Sequence, residues 1–90
     1  MNDPNQLRSA LERIGYMPYL SGILGGWQCE LRCGVGVLPG HLPRPIGTGK
    51  TWQAAALAAV TGFTATIEQY NPSDRKTIEA EQAKLLAAVE

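Results

Sequence analysis

Two stretches of this chain follow incompatible periods, so its ninety residues must build both a sheet and helices around one core. From Trp27 to Cys33 the residues alternate, with Trp27, Cys29, Leu31 and Cys33 on one face and Gln28, Glu30 and Arg32 on the other. That is the pattern of a strand with one buried face. From Thr51 the period lengthens. Trp52, Ala56, Ala59, Val60, Phe63 and Ile67 recur at three- and four-residue spacing, which predicts a core helix ending near Tyr70. Its alanine-rich run from Ala54 to Ala59 favours helix and lets a backbone approach a sheet closely, while Gly62 weakens the middle by about 1 kcal/mol relative to alanine. Trp27 and Trp52 are expected to face each other in the core of strand and helix.

The remaining elements are placed by their boundaries. Asp3 as N-cap and Pro4 at the first helical position open a short helix to Ile14 with Leu7, Ala10, Leu11 and Ile14 on one face, and Gly15 ends it. Tyr16 to Gly26 is apolar but interrupted by Pro18 and glycines; loop, short strand and half-buried turn all remain open for it. Gly34, Gly36, Pro39 and Gly40 make a turn-rich connection, after which Leu42 to Ile46 returns as a short second strand whose two prolines suit only an edge. Asn71-Pro72-Ser73-Asp74 is a helix start with a cap, a proline and an acidic first turn. It predicts a last helix from Pro72 to Val89 with Ile78, Gln82, Leu85, Leu86 and Val89 on one stripe. Arg75 and Glu79 should pair along it, worth about 0.2 to 0.5 kcal/mol. The expected fold is a single α+β domain in two layers: a short helix, a small antiparallel sheet or hairpin, and two C-terminal helices. A lone hairpin is marginal, so the sheet needs the helices or a strand from a second copy, and a homodimer is one way to complete it.

Charge and cysteine usage narrow the function classes. Eight Lys and Arg balance eight Asp and Glu, whereas nucleic-acid domains usually carry a basic excess; the densest basic run is Arg75-Lys76. The uncharged apolar stretch that begins at Ile14 and runs up to Glu30 is broken by Pro18 and glycines, so no membrane span is expected. Met1-Asn2-Asp3-Pro4 has no basic region followed by an apolar one, which makes the cytoplasm the expected location. Four residues apart on a strand, Cys29 and Cys33 lie roughly 13 Å from each other, too far for a disulfide, and are expected as reduced thiols. With His41 they offer three metal ligands, but C-x3-C is not the two-residue knuckle spacing and no fourth ligand is evident. The expectation is two core thiols, a turn histidine and no metal.

Gly47-Thr48-Gly49-Lys50-Thr51 opens the predicted core helix and looks like the end of a phosphate-binding P-loop. The motif is incomplete, since Arg44 stands where its first glycine belongs and Pro43-Arg44-Pro45 where its strand belongs. A glycine turn feeding a helix N-terminus is the expected role, with an incidental anion at its amides left open. No HExxH, GxSxG or spaced carboxylate pair occurs, so no catalytic residue and no cofactor is assigned. The positions of Gly47, Gly49, Thr51, Ala55 and Ala59, and the order helix, strands, helix, resemble double-stranded RNA-binding domains. Where those domains carry a phosphate-gripping lysine cluster, this chain has Trp52, Gln53 and Ala56.

The tryptophan-led strand, the glycine and proline turn, and Gly-x-Gly-x-Thr before an alanine-rich helix also resemble the two-layer phage ABA sandwich of small bacteriophage and prophage accessory proteins. The likeness is carried by Trp27, Gly49, Thr51, Ala54, Ala55 and Ala58 and covers about half the chain; the extra capped helix from Asn71 is a departure from it. The resemblance implies a protein that binds and inhibits a host protein, of anti-CRISPR or other anti-defence type. Tyr16, Met17, Tyr19 and Leu20 form an aromatic-rich stretch that either packs over the core or makes a contact surface. Tyr16, Tyr19, Leu20, His41, Arg44 and Lys50 are therefore the candidate partner-binding residues. The alternative is a nucleic-acid-binding protein using Arg44, Lys50, Arg75 and Lys76.

Overall fold

The capping residues read from the sequence do their expected work at both ends of the chain. In the computed structural model, which describes residues 3–34 and 36–89 and so leaves Met1-Asn2 outside, the Asp3 carboxylate accepts the Gln6 amide at 3.0 Å and starts helix α1, Pro4–Glu12. Leu7 and Leu11 are buried. Gly15, at φ +89°, reverses the chain in the left-handed region that glycine enters without strain.

The ambiguous stretch that follows is a strand. β1, Tyr16–Ile23, pairs antiparallel with β2, Gly26–Cys33, from Tyr16 opposite Cys33 to Ile23 opposite Gly26. Pro18 is tolerated because of the side it faces. Its partner Leu31 donates its amide away from β1, to the Pro45 carbonyl at 2.9 Å. The two residues are thus a non-hydrogen-bonded pair, and the proline nitrogen points to the outer edge, where no ladder bond is lost.

The second predicted strand is displaced. β3 is Ile46–Gly49, antiparallel to β2 from Glu30 opposite Ile46 to Trp27 opposite Gly49, giving a three-stranded meander ordered β1-β2-β3. Leu42 is buried in the connection rather than paired, and the expected glycine turn is this strand itself. The reason is the helix above it. Helix α2, Trp52–Gly62, lies so close that a Cβ at Gly47 would stand 2.6 Å from the Ala58 carbonyl carbon, and one at Gly49 2.7 Å from the Ala54 Cβ. Glycines in the strand and alanines in the helix are two halves of one contact.

The Thr51 hydroxyl caps α2 by accepting the Ala54 amide at 3.1 Å. The helix stops at Gly62, not near Tyr70, and the chain turns into a short 3-10 segment, Ile67–Gln69. Gly62 and the three threonines at 61, 64 and 66 favour helix poorly. The carbonyl of Val60 accepts the Phe63 amide at 3.2 Å in a tightened last turn and also accepts from Gln82 Nε2 at 3.1 Å. Phe63 and Ile67 keep the apolar spacing because both still pack on the core. Arg75 does not turn to Glu79: its guanidinium donates to the carbonyls of Tyr70 and Glu68, at 2.8 and 3.1 Å, and fastens this turn.

Helix α3, Pro72–Val89, begins where expected, with the Asn71 side chain accepting the Asp74 amide at 2.8 Å. Ile78 and Leu85 are fully buried, and Leu86 and Val89 pack beside them. Helices and sheet form the two layers of an α+β domain. The core runs through Cys29 and Leu31 of β2, Ala55, Ala59 and Val60 of α2, and Tyr16 of β1. Trp27 departs from its expected place: it points to the helix side but stands at the hairpin end, beyond the densest part of the core, and remains 37% exposed. Trp52 is only partly buried.

Candidate binding surface

Alternation along each strand and the register between them decide what the other side of the sheet displays. Tyr16, Pro18, Leu20, Cys29 and Leu31 share the helix side. Met17, Tyr19, Ser21 and Ile23 of β1, Gln28, Glu30 and Arg32 of β2, and Ile46 and Thr48 of β3 therefore share the open side. Tyr19, Glu30 and Ile46 lie in one cross-strand row. Tyr19 is 45% exposed, Ile46 51% and Ile23 41%.

The charged group in this face is held in place. The Arg32 guanidinium carbon stands 3.9 Å from the centroid of the Tyr19 ring, and its Nε donates to Glu30 Oε1 at 2.7 Å. That hydrogen bond raises the guanidinium pKa above its ordinary value. A cation stacked on an aromatic face and tied at one nitrogen is a rigid feature of an otherwise solvated surface.

Around the C-terminal end of β2 the same Arg32 lines a groove of about 570 Å³, together with Cys33, Leu38, Leu42, Pro43 and Arg44. Arg44 is exposed. Lys50 is exposed too, but follows Gly49, the partner of Trp27 at the opposite end of the sheet. The structure thus separates Arg44 from Lys50. With Arg75 occupied by backbone carbonyls, it does not gather the four-residue basic set considered for nucleic acid.

Tyr16 does not belong to a contact surface. It is 2% exposed, and its hydroxyl donates to Glu81 Oε1 at 3.0 Å, while Lys84 Nζ reaches Glu81 Oε2 at 2.8 Å. Burial first, and the neighbouring Glu81 carboxylate second, push the Tyr16 phenol far above its ordinary pKa. Leu20, on the helix side, is partly buried against the core. His41 tethers its loop to the first turn of α3, with Nε2 3.0 Å from Asp74 Oδ2.

Cys29 is fully buried, which pushes its thiol up to about 11, and Cys33 is half-buried; both are unpaired thiols. Among the described residues no three His, Cys, Asp or Glu side chains gather as a metal would require, and no helix is long and apolar enough to cross a membrane. The Gly47 to Thr51 run is a paired strand and a helix cap rather than an open loop.

Three groups essential to this geometry had no clear mark in the sequence. Glu30 and Arg32 read as the wet side of a strand, and Ile46 as the end of one. Only the pairing register brings them beside Tyr19. The Tyr16–Glu81 contact joins residues 65 positions apart, beyond the reach of any local pattern.

No family model matches the chain, and no curated protein and no solved structure is significantly similar to it.

Proposed function

We propose that this protein is a binding module that docks a partner protein on the open face of its sheet, with Tyr19, Ile23 and Ile46 supplying apolar contact and Arg32 a fixed charge. One observation carries this reading. A solvated face of an antiparallel sheet ordinarily alternates to polar residues, whereas this one shows Tyr19, with an arginine stacked on its ring, in one row with Ile46, and Ile23 farther along β1 toward the hairpin. Tyrosine and arginine are the residue types that concentrate binding energy at protein interfaces. An arginine held in place before binding also loses less side-chain freedom on association.

The size of the face says how the partner must sit. Two strands of eight residues and one of four, at roughly 3.3 Å per residue and about 4.8 Å between strands, cover on the order of 300 Å². A stable interface needs about 800 Å² per partner. The partner therefore extends past the sheet, toward the Leu24 hairpin tip or the groove beyond Arg32. A finer reading, a bacteriophage-type inhibitor of a host protein acting in the cytoplasm, is supported by the resemblance carried by Trp27, Gly49, Thr51, Ala54, Ala55 and Ala58.

A second reading, binding to double-stranded RNA, is favoured by the order helix, three-stranded meander, helix, and by the use of Gly47, Gly49, Ala55 and Ala59 as the strand–helix contact. The separation of Arg44 from Lys50 weighs against it.

The test compares the wild-type chain with a Tyr19→Ala, Ile46→Ser variant as bait in nuclease-treated bacterial lysate, with sedimentation of each alone. A stoichiometric protein held by the wild type through moderate salt and lost from the folded variant supports the reading. Equal retention by both proteins overturns it. Retention that disappears with nuclease or falls steeply with salt transfers support to nucleic acid, and a wild-type dimer split by the variant makes the partner a second copy.

A further inference from the structure

We infer that the groove between the end of β2 and the 36–44 connection seats an extended acidic segment of the partner, a carboxylate on Arg44 beside an aliphatic side chain on Leu38 and Leu42. This rests on the protein-binding reading and names the chemistry of the partner where the sheet face alone is too small. The groove is about 570 Å³, a size that takes a few side chains. Among the described residues that line it, the charged ones are Arg32 and Arg44, both positive, and the rest are leucine, proline, cysteine and glycine. Glu30 already balances Arg32. Arg44 has no ion-pair partner among the described residues, so its charge is the unmatched one.

The wall that carries Arg44 is pinned at three points. Leu42 is buried, Pro45 is fully buried with its carbonyl bonded to the Leu31 amide at 2.9 Å, and His41 is tied to Asp74 at 3.0 Å. Arg44 also sits between two prolines, which fix the flanking φ angles and hold the residue before Pro45 in extended backbone. A guanidinium presented from so constrained a backbone is preorganised for bidentate contact with a carboxylate. Gly34 and Gly36 on the facing side leave room for a backbone to approach. The apolar walls suit an aliphatic side chain better than a sugar, which favours a peptide over a nucleic-acid strand. Arg32 belongs both to this groove and to the Tyr19 stack, so one partner can run continuously from sheet to groove.

The test uses the full-length 15N-labelled protein and two blocked pentapeptides, Leu-Glu-Leu-Glu-Leu and its counterpart with glutamine for glutamate, followed by amide chemical shifts up to about millimolar concentrations. The expected result is saturable shifts at Gly34, Gly36, Gly40 and Arg44 with the acidic peptide, and binding at least about fivefold weaker with the glutamine peptide. Arg44→Gln should weaken the acidic peptide by at least about as much, leave the rest of the spectrum in place, and be partly restored by Arg44→Lys. Equal affinity for the two peptides, unchanged binding by Arg44→Gln, the same shifts from inorganic phosphate at equal ionic strength, or no saturable shift would each overturn the inference. None of these touches the sheet-face reading, which is judged by the Tyr19→Ala, Ile46→Ser variant and whose shifts would map to β1 and β3.

Discussion

The two faces of the β-sheet have been treated in opposite ways. On the covered face side-chain volume is removed wherever α2 crosses: Gly47 and Gly49 below, Ala54, Ala55 and Ala59 above, with backbone close against backbone. On the open face volume is kept where no part of the described chain covers it, in Tyr19, Ile23 and Ile46. Packing to interior density makes the first face intolerant of even one added methyl group. The second should tolerate larger changes, because its apolar groups keep about half of their surface in water in the folded state. Stability and binding should therefore be separable by face.

The largest effects should come from the covered side. Phe63→Asp places an unpaired charge where the ring is 2% exposed, and the lost ring alone is worth about 3 to 5 kcal/mol. Against a total stability of about 5 to 15 kcal/mol, the variant should be unfolded by circular dichroism at 25 °C; a wild-type melting curve would refute the core assignment. Gly47→Ala comes next. Its Cβ meets the backbone of Ala58 and Ala59 rather than a side-chain end that could move aside, so a loss of about 3 kcal/mol is expected in urea unfolding. Gly22→Ala, which meets nothing within 4 Å, is the control.

The difference between the faces also explains what could be read in advance. Helix starts were legible because a cap is local: Asp3-Pro4 and Asn71-Pro72 carry their own hydrogen-bond acceptors and dihedral preferences. β3 was not, since glycines in a strand look like a turn until the helix that excludes any larger residue is in place. The end of α2 was misplaced for a related reason. Apolar spacing at Phe63 and Ile67 reports packing, while the backbone bonds there tighten to three-residue turns braced by Gln82 and Arg75, residues from another helix. Of the Tyr16, Tyr19 and Leu20 cluster, one member faces out and two face in. Knowing that Pro18 points to a sheet edge would have supplied the strand period that separates them.

A smaller effect appears at alkaline pH. Buried Cys29 holds its proton up to about 11, against 9.0 when unperturbed, so between these values the unfolded chain binds fewer protons than the folded one. The stabilisation is fully present below about pH 9 and is lost as pH rises through 11, by roughly 3 kcal/mol at most. Tyr16, raised for the same reason, adds to the loss above pH 10. Urea midpoints should fall from pH 8 to pH 10.5, less steeply in Cys29→Ala; a flat profile would mean that neither group is as dry as its packing indicates. Tyr16→Phe at pH 7 should cost about 1 to 2 kcal/mol, because it removes the hydroxyl donor from Glu81 and leaves Lys84 as its remaining partner.

The smallest effect is the one that sharpens the contrast most. Ile46→Ser deletes a large apolar side chain from the strand that also carries Gly47, one residue away, but on the opposite side of the sheet. If the open face contributes little to folding, its urea midpoint should correspond to a change within about 0.5 kcal/mol, while Gly47→Ala next to it loses several times more. A loss above about 1.5 kcal/mol for Ile46→Ser would show that Ile46 is packed rather than displayed, and the exposed isoleucines would become part of the fold instead of a surface kept for something else. With stability unchanged, an apolar residue held half-exposed beside a fixed arginine has its physical reason outside this chain.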